Sequence, residues 1–206
     1  MTQVPRGEYP RPQLVRENWQ CLNGTWEFEI DAGESGEARG LPTAERLGGK
    51  ITVPFCPESR LSGVAHTDFM RCVWYARNLD IPAAWKGKRI LLHFGAVDYL
   101  ATVWINGKKV GTHAGGYTPF SFDITDFLNF EHDRVTLSAF DDVRSHNQPA
   151  GKQSDRYASY GCFYTRTTGI WQTVWMEAVE DLHIKSLHTT PDTAACAVTT
   201  ECRLAG

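Results

Sequence analysis

A chain of 206 residues, 42% hydrophobic and 22% charged, has the composition of a folded globular protein, with room for one substantial core and part of a second. A net charge of −3 without any Lys/Arg stripe excludes the electrostatic footprint of a nucleic-acid binder. No segment approaches the ~20 apolar residues that span a bilayer, which argues against a membrane protein.

Residues 1–12 are polar and Pro-rich, lack the apolar centre of a signal peptide, and read as an N-terminal arm on a cytoplasmic protein. After them strand signals dominate: short runs rich in Val, Ile, Phe, Tyr and Trp, separated by Gly, Pro, Asn and Asp, predict an all-β sandwich or barrel. In chain order the strands are Thr25 to Ile30, Lys50 to Val53, Cys72 to Leu79, Lys88 to Phe94, Tyr99 to Ile105 and Lys109 to His113. They continue with Thr118 to Ile124, Arg134 to Phe140, Gly169 to Val179, His183 to Thr189 and Ala195 to Leu204.

Alternation defines the faces. Ile90, Leu92 and Phe94 point one way with Arg89 and His93 opposite, and Val135, Leu137 and Ala139 alternate with Thr136 and Ser138. Two sheets burying such faces against each other satisfy both strands. Asn106-Gly107 predicts a type I′ hairpin, because both central residues need positive φ. Pro82 to Gly87 reads as a loop whose Trp85 plugs the sandwich edge, and Thr125 as the N-cap of a single turn over Asp126, Phe127 and Leu128. The domain edge falls near Val179 to Leu182, giving a main domain at 13–180. Residues 181–206 form a hairpin around Pro191-Asp192 that cannot build its own core.

Few residues suggest chemistry. Cys21, Cys56, Cys72, Cys162, Cys196 and Cys202 form no CxxC pair and no zinc spacing, so they read as reduced, mostly buried thiols. The histidines lack HxxxH and HxH spacing, and no Gly-x-Ser-x-Gly elbow or phosphate-binding loop is present, so no metal or cofactor is expected. Asp141 and Asp142 are neighbours pointing to opposite faces, which reads as a solvated strand end, and Glu58 and Asp98 read as loop carboxylates that cap turns. Trp26, Trp74, Trp104, Trp171 and Trp175 lie within strands and read as packing rather than sugar platforms. The segment Gly151 to Arg166 is long, polar and rich in Arg and Tyr, which suits a functional loop. Its candidate contacts with a ligand are Lys152, Gln153, Arg156, Tyr164 and Arg166.

Several motifs occur in a telling order: Leu22-Asn23-Gly24-Thr25-Trp26, Val53-Pro54, Trp74-Tyr75-Ala76-Arg77, Trp104-Ile105-Asn106-Gly107, Gly115-Gly116-Tyr117-Thr118-Pro119-Phe120, and Tyr164 to Gln172 through Gly169-Ile170-Trp171. Over about residues 10–180 this series resembles the N-terminal domain of glycoside hydrolase family 2, which includes β-galactosidases, β-glucuronidases and β-mannosidases. The resemblance implies a jelly-roll β-sandwich of the galactose-binding-domain kind, followed in the intact enzyme by an immunoglobulin-like domain and a (β/α)₈ barrel. Residues 181–206 then resemble the opening strands of the immunoglobulin-like domain.

In this family the two catalytic glutamates of the retaining mechanism lie on the barrel, so no catalytic residue is expected in this chain. The implied role is a non-catalytic sugar-binding or scaffold domain of a β-galactosidase-like enzyme. Its partners would be the other domains of the parent chain, carbohydrate through the intact enzyme, and further copies in a homo-oligomer. Two other readings stay open: an autonomous carbohydrate-binding module, and an oligomerisation domain without sugar affinity. Two family sugar contacts do not carry over, since an Asp before the Gly-Ile motif falls at Phe163 and an Asn near the early strand falls at Met70.

Overall fold

The computed structural model describes residues 4–206, so the first three positions of the predicted arm lie outside the described residues. Its strands are β1 (Trp19–Cys21), β2 (Gly24–Ile30), β3 (Gly49–Val53), β4 (Cys72–Leu79), β5 (Arg89–Phe94), β6 (Val97–Asp98) and β7 (Leu100–Ile105). There follow β8 (Lys108–Ala114), β9 (Phe120–Asp123), β10 (Asp133–Phe140), β11 (Gly169–Ile170), β12 (Val174–Val179), β13 (His183–Asp192) and β14 (Ala197–Ala205). One sheet has the order β1-β12-β5-β9 and the other β3-β2-β4-β10-β7-β8. The pairs β11-β6 and β13-β14 stand apart, and every ladder is antiparallel. This is the all-β sandwich that the strand pattern predicts, in the jelly-roll form that the family resemblance implies.

The core lies between the two large sheets. Ile90, Leu92 and Phe94 of β5, Val135, Leu137 and Ala139 of β10, and Val174 and Met176 of β12 are fully buried, with Trp26, Tyr75 and Ile105 filling the remaining space. Each of these large side chains contributes roughly 1.5–3 kcal/mol by leaving water. Trp85 is buried at the edge of this cluster, at the end of a 3-10 turn, Ala83–Trp85. The Asn106-Gly107 turn has φ of 52° and 76°, the double positive that a type I′ hairpin requires.

Strand β4 departs from simple alternation because both of its faces are covered. Val73 and Tyr75 face the core, while Cys72, Trp74 and Ala76 form a second cluster with Trp104, Leu41 and Leu47 under residues 31–48. The Trp74 indole stacks on Trp104 at 5.2 Å and donates to Asp31 Oδ2 at 3.1 Å, so its polar edge is satisfied where it is buried.

Several expectations change. The predicted strand Gly169 to Val179 is broken into β11 and β12, and Thr118 to Ile124 shortens to β9; β1 and β6, too short to show a period, join the edges. Ile124, not Thr125, precedes the 3-10 turn, and the Thr125 hydroxyl is engaged instead with Ile90 N at 2.8 Å and with Asp123. The last hairpin turns at residues 193–196 rather than at Pro191-Asp192, because Pro191 pairs with Val198 and Asp192 Oδ1 accepts from Ala194 N and Ala195 N. Of the six cysteines only Cys72 is buried. Cys21 and Cys56 are half-buried, and Cys162, Cys196 and Cys202 are exposed, all as free thiols.

Residues 4–18 lie across the outer face of the four-stranded sheet and are fastened to one carboxylate. Glu177 is fully buried there and accepts from Arg11 Nη2 at 2.9 Å to both oxygens, Arg16 Nε at 2.9 Å, Tyr9 OH at 2.5 Å and Trp175 Nε1 at 2.9 Å. Burial alone would raise its pKa, but the facing His93, Tyr9 and Trp175 reverse that and hold it well below the usual carboxylate range. No helix among the described residues is long and apolar enough to cross a membrane.

Candidate functional site

Between β10 and β11 the chain runs through residues 141–168 without a regular strand or helix, at the end of the sandwich where β6 and β11 pair. A segment of this length stays ordered only if its backbone groups find partners. Here Ser154 N donates to Tyr164 O at 2.6 Å, Tyr164 N to Lys152 O at 2.7 Å, and Tyr160 and Phe163 exchange a reciprocal pair at 3.1 and 2.8 Å. The result is a folded-back arm whose root is buried and whose tip is wet.

The five predicted site residues divide accordingly. Gln153 and Arg166 are buried in the root. Gln153 donates to Asp98 Oδ2 at 2.8 Å and accepts from Thr167 N at 2.8 Å, bridging the β6-β7 corner to the returning limb. Arg166 donates to the carbonyls of Ser154 at 3.1 Å, Arg156 at 2.6 Å and Thr67, with its guanidinium 4.0 Å over the Phe69 ring. Lys152, Arg156 and Tyr164 are exposed, as are Tyr157 and Cys162, with Lys152 and Tyr164 flanking the root where their backbones pair. Arg156 lies 4.0 Å over the Tyr160 ring. Loop composition does not distinguish the side chains that hold this segment from those that face solvent.

Three carboxylates converge under the root, and considering each separately in the sequence had missed them. Glu58, Asp98 and Asp141 are 8%, 1% and 4% exposed. Asp141 is therefore not a solvated strand end: the strand finishes at Phe140, and the next residue turns inward to accept from Gln148 Nε2 at 2.5 Å and Thr168 Oγ1 at 3.3 Å. Glu58 receives Thr168 N at 3.1 and 3.2 Å on its two oxygens. Gly116 packs directly against Asp98, since a Cβ there would stand 2.3 Å from Oδ1, and only glycine permits the approach.

Burial pushes Asp98 up to about 6 and Asp141 up to about 7, with the neighbouring carboxylates adding to the rise, and it raises Glu58 as well. No spacing rule in one sequence brings these three positions together; the β6-β11 pairing beside the end of β10 places Asp98 and Asp141, and the segment after β3 brings Glu58 to Thr168.

The arrangement limits the chemistry available. A retaining glycosidase needs two carboxylates flanking a bond in an open cleft, whereas these three lie beneath the loop and out of reach of solvent. Among the described residues no group of three or more His, Cys, Asp or Glu has the geometry to hold a metal ion. Met70 and Phe163, the positions where the family's sugar-contacting Asn and Asp would fall, are respectively buried in the core and half-buried in a stack on Tyr160 at 5.1 Å. Trp26, Trp74, Trp104 and Trp175 are buried, and Trp171 is half-buried with its Nε1 donating to Gly116 O at 2.8 Å. A concavity of about 360 Å³ lies between the N-terminal arm and the sheet and is lined in part by Arg6, Tyr117, Gln172 and Trp175.

The family described as "Glycosyl hydrolases family 2, sugar binding domain" matches residues 63–178. The chain is 34% identical over 169 residues to a β-galactosidase of Thermoanaerobacter pseudethanolicus, covering 81% of this chain and 20% of that protein. It is 31% identical over 157 residues to a β-glucuronidase of Felis catus, covering 69% and 24%. Among solved structures, Ruminococcus gnavus β-glucuronidase superimposes with a TM-score of 0.75 at 22% identity, covering 97% of this chain and 35% of that one. Lactobacillus rhamnosus β-glucuronidase gives 0.75 at 25% identity, covering 96% and 35%. The chain thus spans about a fifth to a quarter of the length of these curated relatives.

Proposed function

The chain belongs to glycoside hydrolase family 2 through its sugar-binding domain, and from that premise we propose that it is the non-catalytic front domain of a retaining β-glycosidase with β-galactosidase-like specificity. One observation carries the reading: the 151–166 loop is bolted to the sandwich by Gln153 through Asp98 and by Arg166 through Thr67, with Ser154 knitting it internally, yet it leaves Lys152, Arg156 and Tyr164 exposed. Fixing so long a polar segment costs conformational entropy that folding alone does not require. A rigid root with free polar side chains suits a loop that borders a substrate pocket completed by other domains.

The galactoside preference is supported by the greater identity and coverage of the β-galactosidase relative, 34% over 81% of the chain against 31% over 69% for the feline β-glucuronidase. The hairpin of β13 and β14 opens the next domain in this reading. It leaves Leu182, Val198 and Leu204 exposed at 68%, 64% and 60%, as expected of strands awaiting the rest of a sheet.

The test uses the gene product that carries the barrel. Hydrolysis of nitrophenyl β-galactoside in preference to the β-glucuronide is expected, with kcat/KM reduced several-fold or more by Arg156→Ala or Tyr164→Phe. Preference for the glucuronide would reject the specificity. Unchanged kcat/KM in Lys152→Ala, Arg156→Ala and Tyr164→Phe alike would reject the loop's role. Turnover by the 206 residues alone would reject a non-catalytic domain, and calorimetric binding of galactose to them would favour an autonomous binding module.

A further inference from the structure

Glu58, Asp98 and Asp141 come from three separate parts of the chain, and all bear on the same short stretch. Glu58 and Asp141 both hold Thr168, and Asp98 holds Gln153, whose carbonyl in turn holds Thr167 N. Among the described residues none of the three has a cation within ion-pair distance. Arg166 feels the charges of Glu58 and Asp141, but its Nη donors go to the carbonyls of Ser154, Arg156 and Thr67 rather than to a carboxylate.

Asp98 Oδ1 is buried with no hydrogen-bond partner, and the Gly116 backbone is packed on top of it. An ionised oxygen sealed away without a donor is far costlier than a neutral one. The closed geometry therefore fits a cluster that keeps a proton.

We propose that these three carboxylates form a proton-dependent latch on residues 151–168, fastened while the cluster retains a proton and loosened when all three ionise. The step is a simple acid dissociation: the proton leaves for bulk solvent, and three unpaired negative charges remain beneath Thr168 and Gln153. Water must then enter to solvate them, and the loop root must part to admit it.

The other titratable groups facing the cluster do not offset that charge. Cys56 is pushed up to about 11 by burial, and Tyr75 and Tyr117 are also raised, so all three stay neutral through the relevant range. Asp68 and Arg144 act on Arg166 with opposite signs.

The direction with pH follows from linkage. Unfolded carboxylates titrate near ~4, whereas Asp98 and Asp141 in place titrate at about 6 and about 7. The folded latch therefore binds protons more tightly than the open chain. Its contribution is complete below pH ~4, declines as the pH rises through 6 and 7, and is gone above that.

Amide hydrogen exchange on the 206-residue chain tests this between about pH 5.5 and about pH 8.5, with intrinsic rates divided out. Protection at Ser154, Tyr164, Thr167 and Thr168 is expected to fall roughly tenfold or more across that range, while Tyr75 in β4 and Leu137 in β10 hold constant. In Asp141→Asn, neutral at every pH, the fall should shrink to less than about half its logarithm, and in Asp98→Asn by a smaller share. A flat wild-type profile, or variants that reproduce the wild-type fall, would overturn the proposal. Carboxyl NMR titration of the wild type decides independently of how the variants fold: at least one of the three titrating above about pH 6 supports the latch, and all three below about pH 5 refute it. None of these readouts involves sugar, so the latch stands or falls apart from the proposed role of the loop.

Discussion

Replacing Glu177 with glutamine tests whether one buried carboxylate holds the N-terminal arm to the sandwich. The substitution keeps shape and burial but removes the charge and turns one acceptor into a donor, facing Arg11 and Arg16 at 2.9 Å. Breaking a buried ion pair costs about 3–5 kcal/mol, because the abandoned partner remains desolvated. Here the arginine side chains are 23% and 16% exposed, so part of each guanidinium is still hydrated and the loss should be smaller, about 2–4 kcal/mol.

With a urea m-value of about 2 kcal/mol/M, the unfolding midpoint at neutral pH should fall by roughly 1–2 M. The pH dependence gives a second check. The folded-state pKa of Glu177 is depressed, so its contribution is present above the unfolded value near ~4.3 and is lost as the pH falls below it. The gap between wild type and Glu177→Gln should therefore narrow as the pH drops below about 4. A midpoint shift under about 0.25 M at neutral pH would refute the idea that this carboxylate organises the arm.

Two further outcomes follow from backbone and boundary. Gly169→Ala should destabilise the chain by about 2 kcal/mol or more in urea titration, since φ is +72° and a Cβ would stand 2.4 Å from the Tyr75 hydroxyl inside the core. Removing residues 182–206 should lower the melting temperature by less than about 4 °C in thermal circular dichroism, because that hairpin is exposed along nearly its whole length; a fall above about 10 °C would place it within the main fold.

Much of the sandwich was legible in the sequence because its signals are local. The period of two in β5 and β10 and the Asn106-Gly107 turn depend on nearby residues, and a strand that must bury one face shows this in its own alternation. The same logic failed where cover came from elsewhere. β4 reads as a continuous apolar run because residues 31–48 fold over its second face, and the break at Trp171 to Thr173 leaves no mark in hydrophobicity. The final hairpin was placed around Pro191 by turn chemistry, yet a sheet edge tolerates a proline where no ladder hydrogen bond is needed.

By itself the sequence determined the fold class, the family motifs and the loop from Gly151 to Arg166, because composition and short-range pattern are properties of contiguous residues. Only the tertiary structure decided that Gln153 and Arg166 anchor that loop while Lys152, Arg156 and Tyr164 face outward. It also decided that Glu58, Asp98 and Asp141, unremarkable as single loop or strand-end acids, share one buried space. The environment that raises their pKa values is assembled from distant segments by strand register, and an isolated carboxylate carries no trace of the neighbours that will desolvate it.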